Sequence, residues 1–269
     1  GRGLTMTWNN FAEYSFIQGD HDLKLIGGIE SIEYNYKDLS AGRQGYTIET
    51  PSYVTVGAGE EITTANGGRN SWGLFSEIAR FDYVFKGRYL ATVLYRHDQT
   101  SRFATDGDFL TYMAGWRISD EPFIRDLIGN SVVNEMKLRA SYGELGNQNV
   151  GTLYNQATFY GPNQLNANYD LGGTNSSVQQ GFVVLTRGNP FLRWETTKSY
   201  NVGLDLKLFK NSLDVTIDAY KKITTDLISN PPLALAIGEG TAPFVNSAQL
   251  SNTGIDLTLT HYYKKNDFS

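Results

Sequence analysis

The 269-residue chain has no cysteine, only seven prolines, and no long run of apolar residues. Without cysteine it cannot have a disulfide framework, a thiol nucleophile or a thiolate metal site. Its apolar runs are short, such as residues 182–185, whereas a membrane-spanning helix needs roughly 18 apolar residues. If the chain crosses a membrane, we therefore expect it to do so through strands.

Positive charge and catalytic motifs are also scarce. The net charge is −5, which gives none of the basic field that nucleic-acid-binding proteins need to neutralise phosphates. His21, His97 and His261 are too far apart along the chain to form a ligand pair on one element. We find no nucleophile elbow, phosphate-binding loop or zinc-protease motif. The sequence therefore predicts a protein that is not an enzyme, with no cofactor, no metal and no nucleic-acid partner.

The start of the chain has no signal-peptide features. Residues 1–8 contain neither a basic region nor an apolar core, and they resemble the middle of a strand. We expect residues 1–269 to be a fragment without its own signal peptide.

The clearest positive signal is alternation with a period of two. Between Tyr200 and Leu208 the even positions are apolar and the odd positions are polar or glycine, and the pattern resumes from Leu213 to Tyr220. Such alternation places successive side chains on opposite faces of a sheet. If residues 209–212 form a hairpin turn, Leu208 faces Leu213 and Lys207 opposes Asp214 as a favourable charge pair.

The same alternation recurs in residues 135–142 and 254–260 and, less regularly, in residues 22–34 and 72–85. Connections between the strands also follow a pattern. Short ones (18–21, 85–88, 209–212 and 264–267) alternate with long ones (37–69, 145–192 and 228–246), while 98–109 and 120–133 are intermediate, the latter with a helical turn at 121–128. Transmembrane barrels have short periplasmic turns and long extracellular loops. The predicted fold is all-β, an antiparallel meander forming about nine strands of a large transmembrane β-barrel.

This fold assigns each alternating residue to lipid or to the barrel lumen. The expected lipid-facing residues are Leu138, Val202, Leu204, Leu206, Val215, Ile217 and Leu257. The expected lumen-facing residues are Arg139, Asp205, Lys207, Asp214, Asp218 and Asp256. Aromatic residues near the predicted strand ends fit either membrane-interface girdles or ordinary packing at hairpin ends: Trp8, Phe85, Tyr89, Trp116, Trp194, Phe209, Tyr262 and Tyr263.

The longest predicted loop, 145–192, combines aromatic and amide side chains. Its candidate residues are Tyr154, Tyr160, Asn163, Asn166 and Tyr169. Aromatic faces beside amide groups could bind a sugar, and the same composition suits loop packing or contact with a lid protein. Loops of this length are commonly functional.

Several segments resemble the SusC/RagA group of TonB-dependent outer-membrane transporters. They are LRASYG at 138–143 with GNQ at 146–148, NPFLRWETT at 189–197 with NVGLD at 201–205, GRYL at 87–90 with SRF at 101–103, GWRIS at 115–119 with EPF at 121–123, and Tyr220 with TDL at 225–227 and NTGID at 252–256. The resemblance implies a barrel of about 22 strands with a plugged lumen in the outer membrane of a Gram-negative cell. It also implies import of oligosaccharides or peptides, a SusD-like surface lipoprotein as lid, and action of the TonB complex through an N-terminal part. We expect residues 1–269 to be part of the barrel domain and to include no plug domain.

The leading hypothesis is thus a wall segment of a TonB-dependent nutrient transporter, in contact with outer-membrane lipid. One alternative is a non-transport outer-membrane barrel for adhesion or surface display. The other is a soluble β-sandwich binding module, in which the apolar faces would meet in a core.

Overall fold

A computed structural model describes residues 1–128, 132–149, 153–162, 168–170, 172–173, 178–232, 234, 236 and 240–263. Within these residues, nine strands form one antiparallel sheet in the order β1-β2-β3-β4-β5-β6-β11-β12-β13. Their bounds are β1 Arg2–Gln18, β2 His21–Gln44, β3 Glu61–Phe85, β4 Tyr89–Thr100, β5 Gly107–Arg117, β6 Val133–Asn147, β11 Glu195–Leu208, β12 Leu213–Ser229 and β13 Val245–His261. The predicted all-β meander is confirmed.

Tight turns join the strands at one end of the sheet. The β1–β2 turn contains Gly19 (φ 59°) and the β3–β4 turn contains Lys86 (53°) and Gly87 (65°). In the β11–β12 turn Phe209, Lys210 and Asn211 all have positive φ. Left-handed turn residues match the right-handed twist of a hairpin. Three predicted short connections are therefore confirmed, and the fourth, 264–267, lies outside the described residues.

The register of the β11–β12 hairpin is the one that the alternation predicts. Leu208 pairs with Leu213, and Lys207 pairs with Asp214. The same register continues into β6, where Leu138 lies opposite Leu204, and into β13, where Leu257 lies opposite Ile217. One row across four strands is therefore entirely apolar.

The loop boundaries differ from the prediction in two places. Residues 37–44 and 61–69, expected to be loop, extend β2 and β3 as a paired ladder from Lys37/Arg69 to Gln44/Glu61, so the connection is 45–60. Alternation does not mark this extension because neither face is uniformly apolar: Leu39 and Ala41 lie between Lys37 and Arg43. The expected loop 145–192 contains short strands: β7 Phe159–Pro162, β8 Asn168–Asp170, β9 Val178–Gln180 and β10 Phe182–Thr186.

These short strands form two small sheets, β10 with β7 and β8 with β9. At the opposite end of the large sheet, β5 leads into a 3-10 helix, Ile118–Asp120, and then α1, Pro122–Ile128. The predicted helical turn at 121–128 is confirmed. No helix in the described ranges is long and apolar enough to cross a membrane.

Candidate functional site: the charged face and the loop end

The large sheet has two faces of opposite chemistry, and strand register assigns residues to each. The row that contains Leu138, Leu204, Ile217 and Leu257 lies on one face, which we call the apolar face. The adjacent row, Arg139, Gly203, Asp218 and Asp256, lies on the other, the charged face. The residues expected to face lipid therefore share one face of the sheet, and those expected to face the lumen share the other.

At several positions in the sheet the apolar face is more exposed than the charged face, which is the reverse of a soluble protein. In β4 the apolar-face residues Tyr89, Val93 and Tyr95 are exposed, whereas Thr92 and Leu94 on the charged face are half-buried. Leu138, Val202, Ile217 and Leu257 are likewise exposed. Large exposed apolar surfaces mark contact with a membrane or another protein.

Arg139 organises the charged face between β6 and β12. Its guanidinium donates to Asp205 at 3.1 Å and to Asp218 at 2.6 Å, and it lies over Gly203. A Cβ at Gly203 would be 2.5 Å from Arg139 Cζ, so the glycine provides the room for the arginine. Asp256 pairs in register with Asp218, which adds a third carboxylate beside the network.

Lys207 lies between two carboxylates, the predicted cross-strand partner Asp214 and a second one, Glu135. Its Nζ lies 3.0 Å from Glu135 on β6, while Asp214 lies opposite on β12. The lysine can reach a carboxylate on either neighbouring strand, and only the relative position of the three strands decides between them.

A second charged network, on β2 to β4, was missed from the sequence. Arg96 donates to Asp98 at 2.7 Å, to Ser76 at 2.9 Å and to Glu30 at 3.2 Å. Ser76 is fully buried. The polar alternation of Thr92, Arg96 and Asp98 was the available signal.

The loop end of the sheet is closed by an apolar cluster. Leu192 and Trp194 pack with Phe103, Phe109 and Leu74, and all five side chains are buried. Trp194 Nε1 donates to the Thr105 carbonyl at 2.9 Å. Of the two interpretations of this aromatic residue, Trp194 fits ordinary packing, because its ring is buried among the loops. By contrast, Phe85, Tyr89 and Trp116 form a stacked aromatic row at the turn end.

The proposed loop residues are partly described. Tyr154 packs edge-on against Phe159 at 6.1 Å between ring centroids. Tyr160 and Tyr169 lie on β7 and β8 and are 66% and 60% exposed. Asn163 and Asn166 lie outside the described residues. Two tyrosine rings are therefore accessible at the loop end.

Metal chemistry has no site among the residues that the structure describes, where no group of three or more His, Asp or Glu side chains could hold an ion. What remains is a wall with one apolar face, one charged face and a folded loop end. The family model described as TonB dependent receptor-like, beta-barrel, matches residues 2–269. The chain belongs to this family.

Relatives within the TonB-dependent receptor family come from two organisms. TonB-dependent receptor P39 of Formosa agariphila is 34% identical over 241 residues, covering 85% of this chain and 21% of P39. TonB-dependent receptor SusC of Bacteroides thetaiotaomicron is 28% identical over 257 residues, covering 94% of this chain and 24% of SusC. The chain thus spans about a quarter of the length of these relatives. The predicted resemblance to the SusC/RagA group is confirmed.

Solved structures agree with this assignment. The RagAB peptide transporter superimposes with a TM-score of 0.84 at 26% identity, over 98% of this chain and 28% of that chain. The siderophore receptor PirA from Acinetobacter baumannii gives a TM-score of 0.56 at 14% identity, over 95% of this chain and 34% of PirA. The PirA match shows a shared fold alone. The nine-stranded sheet is therefore part of a TonB-dependent receptor barrel.

Proposed function

We propose that this chain is a wall segment of an outer-membrane TonB-dependent transporter that imports nutrients. The observation that carries the proposal is the separation of the sheet into a charged face and an apolar face, on which residues such as Val202 and Leu257 are exposed. In a barrel wall the apolar face contacts lipid and the polar face lines the lumen. Membership of the TonB-dependent receptor family supports the same orientation.

The charged face then borders the path of the substrate and the plug. We assign residues 1–269 to the barrel domain, and the plug domain and the segment engaged by the TonB complex to other parts of the full-length protein. Arg139, Asp205 and Asp218 form a polar patch because the guanidinium holds both carboxylates. Asp256 lies beside them, so this patch presents negative charge to the plug.

The loop end faces the cell exterior in this orientation. We propose that Tyr154, Tyr160 and Tyr169 contact a SusD-like surface lipoprotein or the substrate, an oligosaccharide or a peptide. Aromatic rings offer flat apolar surfaces with a polar tip, which suits both kinds of contact. RagAB, described as a peptide transporter, is among the structural neighbours and SusC is among the relatives, which supports testing both substrate classes.

Uptake by the full-length protein tests this proposal. Cells carrying the wild-type gene should accumulate labelled oligosaccharide or labelled peptide, whereas Tyr160→Ala with Tyr169→Ala should reduce uptake or co-purification of the lipoprotein. Tyr262→Ala is the matched control, because Tyr262 is 55% exposed but lies at the turn end. Equal effects from both ends would contradict the assignment of the loops.

Fractionation separates the alternatives. The full-length protein should remain with outer membranes and require detergent for extraction. Recovery in buffer without detergent would instead support a soluble binding module. Outer-membrane location without uptake of either substrate class would support an adhesion or display barrel.

A further inference from the structure

The connection between β5 and β6 departs from its neighbours at the turn end of the sheet. The other described connections there are tight turns at 19–20, 86–88 and 209–212. Residues 118–132 are longer and contain the 3-10 helix and α1. The other turns reverse the chain in two to four residues, so the length of residues 118–132 is not needed to connect β5 to β6.

One buried carboxylate attaches this segment to the sheet. Glu121 accepts hydrogen bonds from Tyr89 Oη at 2.6 Å, Arg88 Nη1 at 3.1 Å and Trp116 Nε1 at 3.2 Å. Its side chain is only 7% exposed. All three donors are at strand ends, Arg88 and Tyr89 where β4 begins and Trp116 where β5 ends.

Two of these donors belong to the apolar face. Tyr89 pairs with Trp116, which pairs with Leu138, and the Tyr89 and Trp116 rings stack with centroids 6.4 Å apart. Beside them the apolar face has a hollow of about 440 Å³, lined also by Ala114, Leu138 and Ala140. The segment is therefore held on the outward side of the wall, where the aromatic row ends.

The segment also carries an exposed apolar side chain. Phe123, on the first turn of α1, is 63% exposed. Arg125 lies two residues further on, which by the helical period is roughly 200° away from Phe123 around the helix, and its side chain is 61% exposed. An apolar ring on one side of a helix and a cation on the other are typical of elements in a membrane interface.

We propose that residues 118–128 form an interfacial anchor, seated at the boundary between headgroups and acyl chains in the periplasmic leaflet of the outer membrane, with Phe123 among the acyl chains. The inference rests on the orientation given under the proposed function. Lipid is the occupant because the segment continues the apolar face, and because Tyr and Trp are the side chains enriched where apolar surface meets water. The polar tips of Tyr89 and Trp116 point to Glu121, so the carboxylate marks the water side of that boundary.

Depth measurements on the full-length protein test the anchor. Single cysteines carrying nitroxides replace Phe123, Val202 and Asp20 in protein reconstituted into vesicles of phosphatidylethanolamine and phosphatidylglycerol. Val202 is the apolar-face control and Asp20 is the turn control. The ratio of collision with oxygen to collision with a water-soluble nickel chelate should be highest at 202, which lies near the midplane, and should be several-fold higher at 123 than at 20.

The outcomes distinguish this inference from the proposed function. If 202 is in lipid and 123 behaves like 20, the anchor is overturned and the wall orientation stands. If 202 also behaves like 20, the proposed orientation fails. Glu121→Ala should release the segment and shift the label at 123 towards the aqueous value without changing 202; an unchanged label at 123 would overturn the role given to Glu121.

Discussion

An arginine introduced at Leu204 should destabilise the full-length protein, because Leu204 lies deep in the apolar face. It pairs with Leu138 and Ile217, so no charged neighbour on its own row can accept the guanidinium. Leu204 is four residues before the end of β11 at Leu208, which is about 13 Å along the strand and about 10 Å along the membrane normal at a tilt of roughly 40°. In an apolar band roughly 25 Å tall this is close to the midplane, where Leu204→Arg should cost about 2–4 kcal/mol.

Thr216→Arg is the matched control on the opposite face. Thr216 pairs with Asp205 and lies between Asp214 and Asp218 along β12, so an arginine there meets carboxylates and water. Asp205 itself is a poorer control, because its replacement also removes the ion pair with Arg139. We expect less than about 1 kcal/mol for Thr216→Arg, as for other solvated charge pairs.

The assay is reversible urea unfolding of the full-length protein in lipid vesicles, followed by intrinsic fluorescence. Heat-modifiable migration on gels gives the folded fraction independently. Equal destabilisation by Leu204→Arg and Thr216→Arg would refute the assignment of the two faces. Greater destabilisation by Thr216→Arg would reverse it.

Three further predictions concern polar and aromatic contacts. Arg139→Ala should cost about 1 kcal/mol, because the pair with Asp218 is half-solvated, and a double-mutant cycle with Asp218→Asn in urea unfolding should return a favourable coupling. Trp194→Ala should cost about 3–5 kcal/mol locally, as for other buried aromatics, and limited proteolysis should cut the loops while the sheet stays heat-modifiable. Hydrogen bonding from Tyr89 holds the pKa of Glu121 below its ordinary value. A carboxyl group whose pKa is lowered by folding stabilises the attached segment at every pH above its ordinary pKa, and this stabilisation is lost as pH falls through the lowered pKa. A nitroxide at position 123 should therefore gain mobility only in that low pH range. In Glu121→Gln its mobility should not depend on pH.

Alternation alone predicted the sheet where each strand has one apolar and one polar face. The pairing of Leu208 with Leu213 and the separation of Arg139 from Leu138 follow from it. An alternation with a period of two is visible within one strand, so the sequence of a single strand is enough to show which of its residues share a face. In residues 37–44 neither face is uniformly apolar, because Leu39 and Ala41 share a face with Lys37 and Arg43, and alternation therefore predicts a loop where the structure has a strand.

Contacts between distant segments were decided only by the tertiary structure. Trp194 and Thr105 are far apart in the sequence and meet because two loops fold over the same end of the sheet. Glu121 likewise gains its donors from β4 and β5, and Lys207 pairs with Glu135 because β6 is its neighbour. Where the alternation is regular, the sequence by itself determined which residues share a face, since side-chain alternation is local. The paths of the loops and the order of strands determined which of those residues touch, since such contacts depend on the whole chain.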